Sequence, residues 1–167
     1  MADVMLLSVL PNEYGRVKEL ADEIWHVCYK DILSAEQIKY MLDMMYSSNV
    51  IAKESSEGVR YRFVTADCEN AGFLAWGPCE NGSNAAKLHK LYLCTENQGT
   101  GVGSSCIELV KKEAKSAGFS RLILNVNRQN QKAIKCYLKN GFKIIREEGN
   151  DIGSGYYMND FVMQSDI

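Results

Sequence analysis

Residues 98–103 read Gln-Gly-Thr-Gly-Val-Gly, three glycines in six positions between two segments of different periodicity. Upstream, residues 87–94 (Lys-Leu-His-Lys-Leu-Tyr-Leu-Cys) have the composition of a strand. Downstream, Val102, Cys106, Ile107, Val110, Ala114 and Ala117 recur at helical spacing. The chain must therefore turn a strand into a helix through a loop that glycine alone allows to bend freely. Such a loop lets backbone approach a bulky anion, and the helix start adds unpaired N–H groups and the positive end of a dipole. A phosphate-bearing ligand follows as the first expectation. The two commonest nucleotide motifs do not fit. A Rossmann fingerprint wants an early βαβ unit and an acid about 20 residues past the glycines, whereas the next apparent strand ends in Asn125-Val126-Asn127. A Walker loop wants Gly-Lys-Ser/Thr, and Gly101-Val102-Gly103-Ser104 has no lysine.

The remaining elements read as follows. Residues 5–10 form a short first strand ended by Pro11, and Asn12 caps a helix with Val17, Leu20, Ala21, Ile24, Val27 and Cys28 on one face. Ser34 and Gln37 make a capping box for a second helix, with Ile38, Met41, Leu42 and Met45 inward. Residues 60–66 and 71–76 are a hairpin turning at 67–70, and Pro78, Asn81, Gly82, Ser83 and Asn84 mark a loop. After the glycines, Lys111, Lys112 and Lys115 point outward and Gly118 ends the helix. A strand at 121–127 leads to a helix capped by Asn130, with Ala133, Ile134, Tyr137 and Leu138 inward and Gly141 at its end. A strand at 142–146, a polar glycine-rich loop at 147–155 and a last strand at 156–164 close the chain. The order β-α-α-β-β-β-α-β-α-β-β predicts one α/β domain over residues 1–167 with a mixed sheet.

At 167 residues, 46% hydrophobic and 24% charged, the chain can build a real core. A formal charge of −2 lacks the basic footprint of a nucleic-acid binder. Six cysteines without a C-x-x-C pair, and only two histidines, argue against a metal site. The N-terminus has no basic segment before an export-length apolar run, and no stretch is apolar and long enough to span a bilayer. A reducing cytoplasm, with no membrane partner, is the expected setting.

Three motifs occur in order: Leu91-Tyr92-Leu93; Gln98-x-x-Gly101-x-Gly103; and Asn130-x-x-Ala133-x-x-x-Tyr137-x-x-x-Gly141-Phe142. Together they resemble the GCN5-related N-acetyltransferase (GNAT) superfamily, over roughly residues 60–165, with the two N-terminal helices also fitting. Residues 37–46 and the ending Gly153-Ser154-Gly155-Tyr156-Tyr157-Met158 look like its small bacterial members, including relatives of polyamine acetyltransferases.

The resemblance implies a mixed, mostly antiparallel sheet flanked by helices, whose two central strands (87–94 and 121–127) splay apart to admit acetyl-CoA. It implies that the backbone of Leu91, Tyr92 and Leu93 bonds the pantetheine arm like an added strand. The N–H groups of Gly99, Thr100, Gly101, Val102, Gly103 and Ser104 would hold the pyrophosphate, with help from Gln98. Asn125, Asn130 and Ala133 fall at cofactor-lining positions, and Asn130 equally serves as a helix cap. The implied reaction is direct attack of a primary amine (a small amine, a polyamine or a protein amino group) on the thioester, without a metal. A homodimer is compatible with the family.

The N–H of Leu93 is the implied oxyanion donor. Tyr137 falls at the position of the acid that protonates the leaving thiolate, a task suited to a phenol titrating near 10 in water; packing the pantetheine arm is its other reading. Many members carry a glutamate on the strand before the glycines. None lies between residues 87 and 94 here, which leaves His89, on the same strand, as base or relay. Glu80 and Asp160 are further candidates for the base. The missing carboxylate also motivates an alternative, a non-catalytic acyl-CoA sensor on the same fold. Cys94 and Cys136 invite a covalent acetyl-cysteine route, but no histidine or basic motif activates either. Trp25, Tyr29, Met41 and Met45 belong to the helices that roof the acceptor site in the superfamily, or to the core. Glu147, Glu148 and Asp151 form an acidic cluster able to draw a cationic amine, or a solvated loop.

Overall fold

The strand before the glycine loop, β4 (Ala85–Leu93), and the strand after the following helix, β5 (Arg121–Asn127), pair in parallel over four residues, Ala85–Leu88 against Arg121–Leu124. Their ladder ends at Leu88↔Leu124, while β4 continues through Leu93 and β5 through Asn127. Around this pair the computed structural model, which describes all 167 residues, sets β1 (Val4–Ser8), α1 (Tyr14–Cys28), α2 (Ala35–Met45), α3 (Ser48–Ser56), β2 (Arg60–Ala66) and β3 (Glu69–Pro78) before β4. The helix α4 (Val102–Ser116) precedes β5, and α5 (Gln131–Lys139), β6 (Lys143–Gly153) and β7 (Tyr156–Asp166) follow it. The strands lie in the order β1-β2-β3-β4-β5-β7-β6. The β1–β2, β2–β3, β5–β7 and β6–β7 pairs are antiparallel. The expected mixed, mostly antiparallel sheet is thus present.

The chain divides into two compact units, Met1–Trp76 with Lys90–Cys106, and Gly77–His89 with Ile107–Ile167. In the first, α1 buries Val17, Leu20, Ala21, Ile24 and Trp25, and α2 buries Ile38, Met41 and Leu42. Each buried Val, Leu, Ile or Met side chain among them contributes about 1.5–3 kcal/mol. Trp25 is the hub of an aromatic cluster, with ring centroids 4.9 Å from Tyr29, 5.8 Å from Tyr46 and 5.4 Å from Tyr92. Ser34 caps α2 as expected, accepting from the Gln37 N–H at 3.1 Å. Asn12 does not cap α1. It lies in a single 3-10 turn, and the Glu13 carboxylate instead accepts from the Leu10 N–H at 2.8 Å. The expected inward Val27 is 49% exposed.

The helix α3 has no counterpart in the sequence reading. Its Glu54 receives hydrogen bonds from Lys90 on β4, at 3.0 Å, and from the Tyr61 hydroxyl on β2. Lys90 also donates to the Tyr61 oxygen at 2.9 Å. Burial, then the bond to Glu54, raise the Tyr61 phenol far above its ordinary range. An ammonium that is 4% exposed is tolerable because it is paired and hydrogen-bonded on the spot.

In the second unit, Ile107, Val110 and Ala114 of α4 are buried, as are Leu122 and Leu124 of β5 and Val162 and Met163 of β7. Four expectations fail here. Lys111 turns inward rather than outward, donating to the Asn140 carbonyl at 2.7 Å and the Ser165 hydroxyl at 2.8 Å. Leu138 is 50% exposed, and Ala117 lies beyond the end of α4 and is exposed too. Residues 147–155 are mostly strand rather than loop, because β6 pairs with β7 up to Gly153↔Tyr156. The connection is a tight turn with Ser154 at φ 53° and Gly155 at φ 79°, the signs a two-residue hairpin needs.

Candidate active site

In the first unit the end of β4 and the glycine loop form one construction. The Cys94 N–H donates to the Ala71 carbonyl on β3 at 2.9 Å, and a β-carbon on Gly72 would collide with the Tyr92 carbonyl. Cys94 and Tyr92 therefore turn their peptide groups toward β3. Strand alternation turns those of Leu91 and Leu93 the other way. The Leu93 carbonyl accepts from the side-chain amide of Gln98 at 3.0 Å, and the same nitrogen lies 3.2 Å from Cys28 Sγ. Gln98 thus fastens the loop to the strand it leaves. The Thr100 hydroxyl likewise turns onto the chain, donating to the Asn97 carbonyl at 2.7 Å.

Gly99 and Gly101 have φ of 74° and 93°, a conformation costly to other residues, and a β-carbon built on either would meet nothing within 4 Å. The backbone here borders open space. Ser105 donates to the Gly101 carbonyl at 3.1 Å, closing the first turn of α4. The N–H groups of Val102 and Gly103 point out of that turn along the axis. The loop, its open surroundings and the helix N-terminus fit a diphosphate such as that of acetyl-CoA.

In the second unit the strand registers set three rows of side chains on one face of the sheet. Lys87, Ile123 and Gln164 make the first row, Asn125, Val162 and Arg146 the second, and Asn127, Asp160 and Glu148 the third. His89, two residues past Lys87 on β4, shares this face and is half-buried. Apart from Ile123 and Val162 the residues of these rows are polar, whereas Leu122, Leu124, Val126 and Met163 occupy the other face and are buried. The Asn125 amide donates to Glu148 at 3.1 Å. Glu148 is also gripped by Arg146 at 2.8 Å, and that bond is the main reason its carboxyl is held below the ordinary range. Asp160 is 4% exposed, and its Oδ1 has no hydrogen-bond partner. Burial raises its carboxyl above the ordinary range, although the Asn125 amide pulls it down.

Nearby, Asn130 caps α5, accepting from the Ala133 N–H at 3.3 Å. Tyr137 is buried on α5, its ring centroid 5.7 Å from that of Phe142.

The sequence-derived positions therefore fall into two sets. Leu91, Tyr92, Leu93 and Gln98 through Ser104 belong to the first unit; His89, Asn125, Asn130, Ala133 and Tyr137 belong to the second. Glu80 also lies in the second unit, but is exposed just after β3. Of the acidic cluster, Glu147 pairs with Arg128 at 3.1 Å, Glu148 with Arg146, and Asp151 accepts from the Gly153 N–H at 2.8 Å. The three carboxylates are occupied locally. Burial pushes the Cys94 thiol up, which disfavours the thiolate that a covalent route would need. Sequence reasoning missed Gly72, whose signal was an isolated glycine inside a strand pattern, and it missed the Glu148–Asn125 contact, which only the β5–β7–β6 register brings about.

The Acetyltransferase (GNAT) family, as a sequence profile, matches residues 16–142. A spermidine N(1)-acetyltransferase of Thermoplasma acidophilum is 29% identical over 138 residues, covering 80% of this chain and 84% of that one. The PaiA N-acetyltransferase of Thermoplasma acidophilum, solved in complex with coenzyme A, superposes with a TM-score of 0.80 at 25% identity, over 99% of both chains. A GCN5-related N-acetyltransferase of Rhodopseudomonas palustris shares the fold, with a TM-score of 0.78 at 16% identity over 100% of this chain and 96% of that one.

Proposed function

The chain belongs to the GNAT family of acetyltransferases and is an acetyl-CoA-dependent N-acetyltransferase; we propose that it moves the acetyl group to a primary amine by direct attack in a ternary complex. The acceptor is a small amine, a polyamine or a protein amino group, and the spermidine N(1)-acetyltransferase among its relatives supports the polyamine class. Residues 1–167 act as one catalytic domain, as a monomer or a homodimer. Six cysteines, all free thiols, support a reducing, cytoplasmic setting.

The observation that carries this reading is the β4–β5 ladder ending at Leu88↔Leu124, followed in sequence by a glycine loop that borders open space. The peptide groups of Leu91 and Leu93, turned away from β3, hold the pantetheine arm by strand-like bonds, with Tyr92 between them. The N–H groups of Gly99 through Ser104 bind the pyrophosphate, and Gln98 fixes the loop for that task. Asn125, Asn130 and Ala133 line the donor. The Leu93 N–H stabilises the developing oxyanion. Tyr137 delivers a proton to the departing thiolate, and His89 relays protons on the β4 side. Holding donor and amine together supplies much of the rate through proximity.

The test is release of free thiol when the protein is incubated with acetyl-CoA and a panel of primary amines, polyamines and lysine peptides. Amine-dependent thiol release supports the reading. Tight coenzyme A binding without release for any amine contradicts it and leaves a sensor on the same fold.

A further inference from the structure

The reaction needs a group to take a proton from the acceptor nitrogen, and the strand position that carries a glutamate in many relatives holds none here. We propose that Asp160, on β7 beside Asn125, is the base that takes this proton. The assignment rests on the acetyltransferase reading and adds a catalytic residue to it.

Asp160 lies in the row Asn127–Asp160–Glu148, level with the stretch of β5 beyond its ladder with β4. It shares a face with Asn125 and, by alternation along β4, with Lys87 and His89. The carboxyl is 4% exposed, yet Oδ1 accepts no hydrogen bond. A buried polar atom of this kind costs about 1–3 kcal/mol, so a fold that only needed packing here would place an apolar residue. An acceptor oxygen facing a polar row has chemical use when an N–H or a water meets it.

The surroundings divide two carboxyls into different roles. Glu148 is fixed by Arg146 and Asn125 and stays ionised. Asp160 faces Asn125 and Asn127 from β5, Glu148 from β6, Lys87 from β4 and Arg128 just past β5. Burial and the Glu148 charge make it a stronger base than an ordinary aspartate, while Asn125, Lys87 and Arg128 temper that effect. Neighbouring carboxyls driven apart in this way are suited to different roles, one a fixed charge and one a proton acceptor.

The step balances. The acceptor ammonium gives one proton to Asp160 and becomes a nucleophilic amine. The C–N bond forms and the C–S bond breaks. The thiolate leaves as a thiol with the Tyr137 proton, Tyr137 recovers the second proton of the nitrogen, and Asp160 returns its own to water.

The test compares the full-length protein with Asp160→Asn and Asp160→Glu in thiol-release kinetics across pH 5–9. Asp160→Asn is expected to lose about 100-fold in kcat and the acid limb of the kcat/KM profile, while its coenzyme A affinity stays within about twofold. Asp160→Glu is expected to restore that limb in part. A purely structural Asp160 would leave the shape of the profile unchanged. A carbon NMR titration of the Asp160 carboxyl in the unaltered protein supplies a second reading that needs no variant, since its midpoint should coincide with the acid limb. Activity of Asp160→Asn within about twofold and an unshifted limb, or a midpoint away from the limb, would overturn the assignment while leaving the acetyltransferase reading intact. Absence of thiol release by the unaltered protein would overturn both.

Discussion

The side-chain amide of Gln98 donates to the main-chain carbonyl of Leu93 at 3.0 Å, so the residue that opens the glycine loop also fixes the last residue of β4. One hydrogen bond thereby sets two parts of the proposed donor site, the peptide of the proposed oxyanion donor and the entry to the helix N-terminus. Gln98→Ala should cost about 1 kcal/mol of stability and about tenfold in kcat/KM for acetyl-CoA. Thermal melting and initial rates check this. A loss confined to stability would reduce Gln98 to a loop tie.

Tyr137→Phe keeps the ring that packs on Phe142 and removes the hydroxyl alone. Turnover should fall about 100-fold, with coenzyme A affinity measured by calorimetry nearly unchanged. Unchanged turnover would remove Tyr137 as the acid and leave the packing role.

Gly101 separates backbone strain from ligand space. At φ 93° an alanine costs about 1–2 kcal/mol, and its methyl would enter the open space beside the loop without touching protein. Gly101→Ala should lower the melting point modestly while raising the KM for acetyl-CoA by tenfold or more. A fall in stability with KM unchanged would place the diphosphate elsewhere.

Asp160 gives the pH dependence of stability a definite sign. Its folded carboxyl titrates above the ordinary 3.8, so the folded state binds this proton more tightly than the unfolded chain does. The resulting penalty is absent below about pH 3.8, grows as pH rises toward the folded value, and is complete above it. Asp160→Asn should therefore be more stable than the unaltered protein at pH 7, with the difference shrinking as the pH falls toward 4. Urea titrations at pH 4 and 7 measure this, and a variant less stable at pH 7 would contradict the burial argument.

The Lys90–Glu54 pair anchors α3 to β4 inside the first unit. Removing one partner strands a buried charge, so Glu54→Ala should cost about 3 kcal/mol or more. The double variant Glu54→Gln with Lys90→Met should recover most of that loss. A double variant as unstable as the single would show that volume, not charge, holds α3.

What the sequence made legible follows from physical cause. The strands at 60–66 and 121–127 agree with the fold to the residue, because alternating side chains and bounding turns encode half-buried strands locally. Only the start of β6, at 143–146, was legible as strand; its continuation over 147–153 read as loop, since nearly all of it is exposed and polar, and its pairing with β7 makes it a strand. The helix α3 escaped because Ile51 alone is buried along it. Within the site, the glycine loop was legible as a contiguous motif with its chemistry in the backbone. The burial of Asp160 and the hold of Gln98 on Leu93 were not, because each depends on partners brought together by register and turn geometry.

The most direct test of the account is the two-substrate initial-rate pattern, with acetyl-CoA and the best amine each varied against the other. Direct transfer in a ternary complex predicts double-reciprocal lines that intersect, with no thiol released before amine is added. Parallel lines, with a burst of thiol in the absence of amine, would instead reveal an acetylated enzyme and contradict the account.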